Sequence, residues 1–143
     1  MIVKQIRDLL VGSAGITGAL ATYEFAPGVA TPAVFTVDPI PKDADLPAII
    51  ITQPSGVDWG TLDKRGAEVD IDVRCYADKD PGRSSLALRQ LAWNIWELLG
   101  LATFTMPGYG QWGCFCTTPP TALVDPDGFP GYLIPLMVRI LED

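Results

Sequence analysis

Between Ala67 and Gly100 the hydrophobic period changes once, from two residues to that of a helix, and this change limits the folds open to the chain. Ala67, Val69, Ile71, Val73, Cys75 and Ala77 alternate with Glu68, Asp70, Asp72, Arg74 and Tyr76. Successive strand side chains point to opposite faces, so the register gives one apolar and one charged face. That is the pattern of a half-solvated strand in an antiparallel sheet, not of a parallel strand buried on both sides. Asp78-Lys79-Asp80-Pro81-Gly82 supplies turn residues. Beyond it Leu88, Leu91, Ala92, Ile95, Leu98 and Leu99 fall on one helical stripe, and Gly100 stands where a helix stop belongs. Ser84 or Ser85 can provide the N-cap oxygen. The spacing therefore predicts a helix over Ser84 to Leu99, packed on the Val69, Ile71 and Val73 face.

A chain of 143 residues, 48% apolar and with four tryptophans, can bury a sizeable core, and one domain over 1–143 is expected. Thirteen prolines and fourteen glycines require many irregular connections. Net charge is -7 with no basic run, which argues against stable binding to a phosphate backbone. No stretch approaches the roughly 18 apolar residues of a membrane span. Lys4, Arg7 and Asp8 interrupt the first apolar residues at helical spacing, unlike a secretory signal. Three cysteines are a poor disulfide framework, and a cytosolic site of synthesis is the expectation.

Along the chain, Ile2, Ile6, Leu9 and Leu10 share a helical face, and Gly12-Ser13-Ala14-Gly15 closes that helix. Gly12, Gly15 and Gly18 lack the GxxxxGK[ST] signature of a phosphate loop, so a helix stop and linker is the better account. Ala19 to Phe25 is weakly strand-like. Pro27, Pro32, Pro39, Pro41 and Pro47 punctuate the next stretch, where only Ala33 to Val37 looks extended. Each proline removes a ladder donor, so this piece is read as an edge strand or a surface arm. Ala48 to Gln53 is β-branched and continuous, as in a buried strand.

Pro54 to Gly66 reads as a polar hairpin loop carrying Trp59, which either folds back on the core or marks a contact surface. Leu101 to Gly113 reads as a second irregular piece. Cys114 to Val124 is extended apart from Pro119-Pro120, and Asp125-Pro126-Asp127-Gly128 is a turn. Tyr132 to Leu141 is the last strand, with Pro135 arguing for a bulge or an edge position. The expected fold class is α+β: an antiparallel sheet of about four to five strands with two helices packed on one face.

Chemistry is sparse. The absence of histidine removes histidine-activated nucleophiles and every histidine-containing metal site. Cys114 and Cys116 share a strand face, but three thiolates without a fourth ligand make a poor zinc site, and small buried apolar residues are the simpler account. Turn formation explains Asp125 and Asp127, as it does Asp78 and Asp80. Glu68, Asp70 and Asp72 line one strand face about 7 Å apart, a spacing at which like charges repel. They form either a solvated outer face paired with Arg74 and Arg139, or a charged surface meeting another subunit or a metal ion. No catalytic residue, metal ligand or cofactor is expected.

Four places carry a resemblance that spans nearly the whole chain. They are the amphipathic helix Ile2 to Val11, the Leu46-Pro47-Ala48-Ile49-Ile50-Ile51 segment after the Pro-rich arm, Gly66 to Arg74 running through a turn into Leu88 to Leu99, and the Asp125 to Gly128 turn before Tyr132 to Ile140. This pattern of residue classes resembles the tail terminator (tail-completion) family of long-tailed bacteriophages and gene transfer agents. The Pro27 to Pro41 arm and the cysteine-containing loop after Gly100 depart from the usual compact pattern.

The resemblance implies a non-enzymatic virion protein that forms a ring, usually a hexamer, capping the finished tail tube and offering the head-tail joining surface. The implied partners are further copies of this chain, the tail tube protein and a head-completion or connector protein. DNA would pass through without specific binding. The implied location is the neck end of the virion tail, with host cytoplasm as the place of assembly. A mean hydropathy of +0.25 and aromatic-bearing loops suit a subunit that buries surface on assembly. On this basis Glu68, Asp70, Asp72 and Arg74 are candidates for the subunit interface or a DNA-repelling lumen. Val57, Asp58, Trp59 and Leu62 are candidates for the tube-contact loop. The rivals are a connector-adaptor of the phage neck and, from another class, a small metal-dependent hydrolase.

Overall fold

The computed structural model describes residues 2–36, 43–52, 55–58, 66–77, 85–100, 103–106, 109–116, 118–124 and 128–141. In chain order these hold α1 (Ile2–Val11), α2 (Ala14–Thr17), β1 (Thr22–Ala26), β2 (Val29–Pro32), β3 (Val34–Phe35), β4 (Ala48–Ile51) and β5 (Ser55–Asp58). They continue with β6 (Gly66–Tyr76), α3 (Ser85–Gly100), β7 (Thr103–Met106), β8 (Tyr109–Cys116), β9 (Thr121–Val124) and β10 (Pro130–Leu141).

The protein is α+β. Its main sheet runs β3-β4-β6-β10-β8-β7, with β5 also paired to β6 and β9 also paired to β10. β1 and β2 form a separate hairpin, turned at Gly28, whose φ of 78° suits a residue without a Cβ. The sheet is mixed, which corrects the expected all-antiparallel arrangement. β3 lies parallel to β4, Val34 facing Ile49 and Phe35 facing Ile50, because these two strands are joined by the long Pro-rich connection and not by a tight turn. The proline argument for an edge position holds: β3 is the sheet's outermost strand on that side.

β6 and β10 form the spine, in continuous antiparallel register from Gly131↔Tyr76 to Leu141↔Gly66. Ile71, Val73, Cys75 and Ala77 are buried, together with Ile134, Leu136 and Val138 of β10. They meet Ile6 and Leu10 of α1, Ile16 of α2, and Leu88, Leu91, Ala92, Ile95 and Leu99 of α3 in one core. The alternation and the helical stripe thus pack as the sequence predicts. β4 is buried on both faces: Ile49 and Ile51 join the helix-side core, while Ala48 and Ile50 join Ala33, Phe35, Tyr23, Leu46 and Tyr76 on the other side. There the aromatic rings of Tyr23, Phe25 and Phe35 stand about 5 Å apart. Arg7 lies 5.3 Å from the Phe25 ring centre and donates to the Val34 carbonyl, tying α1 to this end.

Three expectations need correction. Within Pro54 to Gly66, expected to be a loop, Ser55–Asp58 is a strand, because β6 is longer than β4: pairing with β4 ends at Ile51↔Val73, and β5 pairs along the same edge from Ser55↔Asp70 to Asp58↔Ala67. The register advances by one residue between these two segments, with the Thr52 hydroxyl accepting from the Asp72 amide at the junction. Within Leu101 to Gly113, expected to be irregular, Thr103–Met106 is β7 and pairs with β8 from Thr103↔Gly113 to Met106↔Tyr109. The glycines of this stretch suggested irregularity, but Pro107-Gly108 is a turn signal between two extended runs. Pro135 lies neither at an edge nor in a bulge; it occupies the middle of a central strand. The linker after α1 also folds into the short α2, and the weak strand after it is β1.

Candidate assembly surface

The face of the sheet turned away from the helices is built by the polar half of the β6 alternation and its partners on β10. Cross-strand register sets Arg139 beside Glu68, Met137 beside Asp70, Pro135 beside Asp72 and Leu133 beside Arg74. Arg139 Nε donates to Glu68 Oε2 at 3.2 Å, and Arg74 Nη2 stands 3.9 Å from Asp72 Oδ2. Three carboxylates therefore face two guanidinium groups, and the acid left over is Asp70, which is exposed and makes no ion pair among the described residues. Leu133 and Met137 are half-buried on the same face. The result is an acidic row beside an apolar strip, with no helix among the described residues laid over either.

Of the expected pairing of the carboxylates with Arg74 and Arg139, the Glu68–Arg139 pair crosses from β6 to β10, whereas Asp72 and Arg74 approach each other along β6 itself. Both pairs are exposed enough that water weakens them, so their effect on stability is small. Asp58 and Val57 lie on β5, in register with Ala67 and Glu68, and so adjoin the acidic row. Trp59 and Leu62 lie outside the described residues, as do Asp78, Asp80, Asp125 and Asp127. Gly128, at the end of the expected Asp-rich turn, has a φ of 87°.

Among the described residues no group of three or more histidine, cysteine or acidic side chains converges on a metal position. Cys75 pairs in register with Tyr132, and Cys116 with Leu136, four residues further along β10. The two thiols therefore sit at different levels of the sheet. Burial pushes the Cys75 thiol up to about 12 and the Cys116 thiol up to about 11. Both stay protonated near neutral pH and act as small apolar fillers.

Sequence reasoning missed a second surface. The outer side of α3, away from the sheet, carries Leu86, Arg89 and Trp93 at helical spacing. Leu86 is 79% exposed and Arg89 is exposed. The Trp93 ring packs edge-on against Trp96, their centres 5.1 Å apart. The signal was available: in a helix whose buried stripe is Leu88, Leu91, Ala92, Ile95 and Leu99, the apolar residues left over fall on the solvent side.

The model of a family described as tail completion protein gp17 matches residues 4–131. The chain belongs to that family. The matched span runs from within α1 to the start of β10, so it takes in both halves of the hairpin arm, the β6–α3 unit and the β7–β8 hairpin. A search of curated proteins gave no match. Membership in the tail completion family gives the protein a structural role in phage tail assembly, as a component of the virion tail.

Proposed function

We propose that this tail completion protein forms a ring of identical subunits, of hexameric order, that caps the finished tail tube at its neck end and offers the surface to which the head joins. The observation that carries this reading is the family match over residues 4–131. Two opposed surfaces support it: an acidic, partly apolar sheet face and an apolar outer helix stripe. A subunit with two different sticky faces is suited to head-to-tail contacts, which close into rings when the rotation per subunit allows.

In this reading Glu68, Asp70, Asp72 and Arg74 lie at the subunit contact or along the lumen, where surplus negative charge would keep the DNA backbone from sticking. Val57, Asp58, Trp59 and Leu62 belong to the tube-contact region, reached through the β5–β6 hairpin, since such loops project recognition surface from a rigid sheet. The protein acts by assembly and not by catalysis, with the tail tube protein and a connector protein as its neighbours.

The test is the solution mass of the purified protein with negative-stain imaging of the same sample, alone and with isolated tail tubes. A ring of about six subunits with a central hole, free or on the tube end, is expected. A protein that stays monomeric alone and does not bind tube ends would overturn the proposal. Binding to DNA-filled heads in place of tubes would make it a connector-adaptor.

A further inference from the structure

The β1–β2 hairpin stands apart from the rest of the fold. It is a two-stranded sheet of its own, and no residue of 22–32 belongs to the core between the main sheet and the helices. From Glu24 to Ala30 every residue is exposed, Phe25 and Val29 among them. A lone two-stranded hairpin is only marginally stable in water, so its attachment to the body is what holds it in place. Among the described residues that attachment is short. At the root, Ala33 N donates to the Ala21 carbonyl and Ala21 N donates to the Pro47 carbonyl. Next, Tyr23 packs against the outer cluster of Ala33, Phe35, Ala48 and Ile50, and its hydroxyl donates to Asp43 Oδ1. Further out, the Phe25 ring lies against Tyr23 and Phe35 on one side and meets the Arg7 guanidinium.

Arg7 belongs to α1, whose Ile6 and Leu10 lie in the helix-side core. Phe25 touches Phe35 of the opposite, outer cluster. The Arg7 side chain therefore reaches round the β3 edge of the sheet, and it grips that edge on the way. Ile49 N donates to the Ala33 carbonyl, so in this parallel pairing the Val34 carbonyl points away from β4, and Arg7 Nε donates to it at 3.2 Å. One side chain thus ties helix, sheet edge and hairpin together.

We infer that the β1–β2 hairpin is a latched arm, which opens from the sheet as one unit while the helix-side core stays intact, and that Arg7 is its latch. Closed, the rings of Tyr23 and Phe25 cover Phe35, which is 2% exposed. Opening uncovers Phe35 and frees Phe25. Exposed apolar surface of this kind drives association, and the latch keeps it covered in the free chain. The inference stands on the arm's own contacts and goes beyond the ring reading, since a chain that never forms rings still carries the arm.

Hydrogen exchange on the intact chain, read by mass spectrometry, tests this. A released arm does not hold its own ladder, so its hydrogen-bonded amides exchange with each opening. Peptides across residues 22–32 should exchange at least about tenfold faster than those of the β6–β10 ladder. Arg7→Gln removes the cation and Phe25→Leu removes the ring. Each should speed exchange of the arm by about two- to fivefold or more, the worth of an exposed cation–π contact, and leave the β6–β10 peptides unchanged. In the Phe25→Leu background, Arg7→Gln should add little, because its ring is already gone. Lys4→Gln, on the same helix, breaks the exposed pair with Asp8 and should leave the arm's rate as it is.

An arm that exchanges at the rate of the β6–β10 ladder opens only by global unfolding, and the inference is then wrong. If Arg7→Gln leaves the arm unchanged, or speeds arm and ladder alike, Arg7 is not the latch. An equal effect from Lys4→Gln overturns the assignment in the same way.

Discussion

Pro135 stands opposite Asp72 at a level of β10 where its missing N–H breaks no ladder bond to β6. The Asp72 amide and carbonyl are both turned toward Thr52, so the Pro135↔Asp72 level is a non-hydrogen-bonded one between β6 and β10. The backbone of Pro135 therefore faces the other way. On that side the described pairing with β9 ends at Leu133 and that with β8 starts at Leu136, so Pro135 has no partner strand there among the described residues. The proline rule is satisfied inside the sheet, because one neighbouring row is interrupted.

Replacing Pro135 with alanine should change unfolding free energy by less than about 1 kcal/mol, since no ladder bond is gained or lost. Met137→Pro, two residues on and paired with Phe115 of β8, should cost about 2 kcal/mol or more by removing a ladder donor. Urea unfolding of the two variants decides it. Equal destabilisation would contradict this account of Pro135.

Gly131 of β10 lies in register with Tyr76 of β6 and leaves no room for a side chain. A Cβ there would come within 2.7 Å of the Cys75 carbonyl oxygen and 2.6 Å of the Tyr76 ring. The Tyr76 ring can swing aside, but the carbonyl belongs to the central ladder and cannot. Gly131→Ala should lower stability by about 1–3 kcal/mol, the range for overpacking. Thermal denaturation of the variant measures this directly.

Reversing Glu68, Asp70 and Asp72 together to lysine should leave the fold in place, since all three lie on the half-exposed face, yet abolish assembly or slow DNA delivery. The readouts are circular dichroism for the fold and particle infectivity for function. Wild-type infectivity of the triple variant would remove the face from both the subunit contact and the lumen.

The thiols give a pH dependence with a definite sign. Burial raises the folded Cys75 thiol to about 12 from an ordinary value of 9.0. Above pH 9 the unfolded chain releases a proton that the folded chain retains. Stability should therefore be undiminished by this group below pH 9 and decline as pH rises from 9 toward 12. Cys75→Ala should flatten that decline. At pH 8, Cys75 and Cys116 should react slowly with a thiol reagent in the native state and rapidly once unfolded.

Much of the fold was legible because two periods in the sequence map directly onto geometry. The alternation from Ala67 to Ala77 fixed which β6 residues would be buried, and the Leu88 to Leu99 stripe fixed the inner side of α3. The acidic row was legible for the same reason, since period two sends Glu68, Asp70 and Asp72 to one face. Short strands were not. Ser55–Asp58 and Thr103–Met106 are four residues each and hold their place through pairing with longer neighbours, so their own composition carries little signal.

The sequence by itself determined the layers: an amphipathic strand and an amphipathic helix must set their apolar sides together, because hydrophobic burial is non-directional and follows the pattern of side chains. Only the tertiary structure decided which charges are left over. Glu68 and Arg139 are 71 positions apart in sequence and meet through the β6–β10 register. That pairing, with Asp72 beside Arg74, is what leaves Asp70 without an ion pair among the described residues. Register is a long-range property, set by which backbone groups face each other across strands, and no local spacing encodes it.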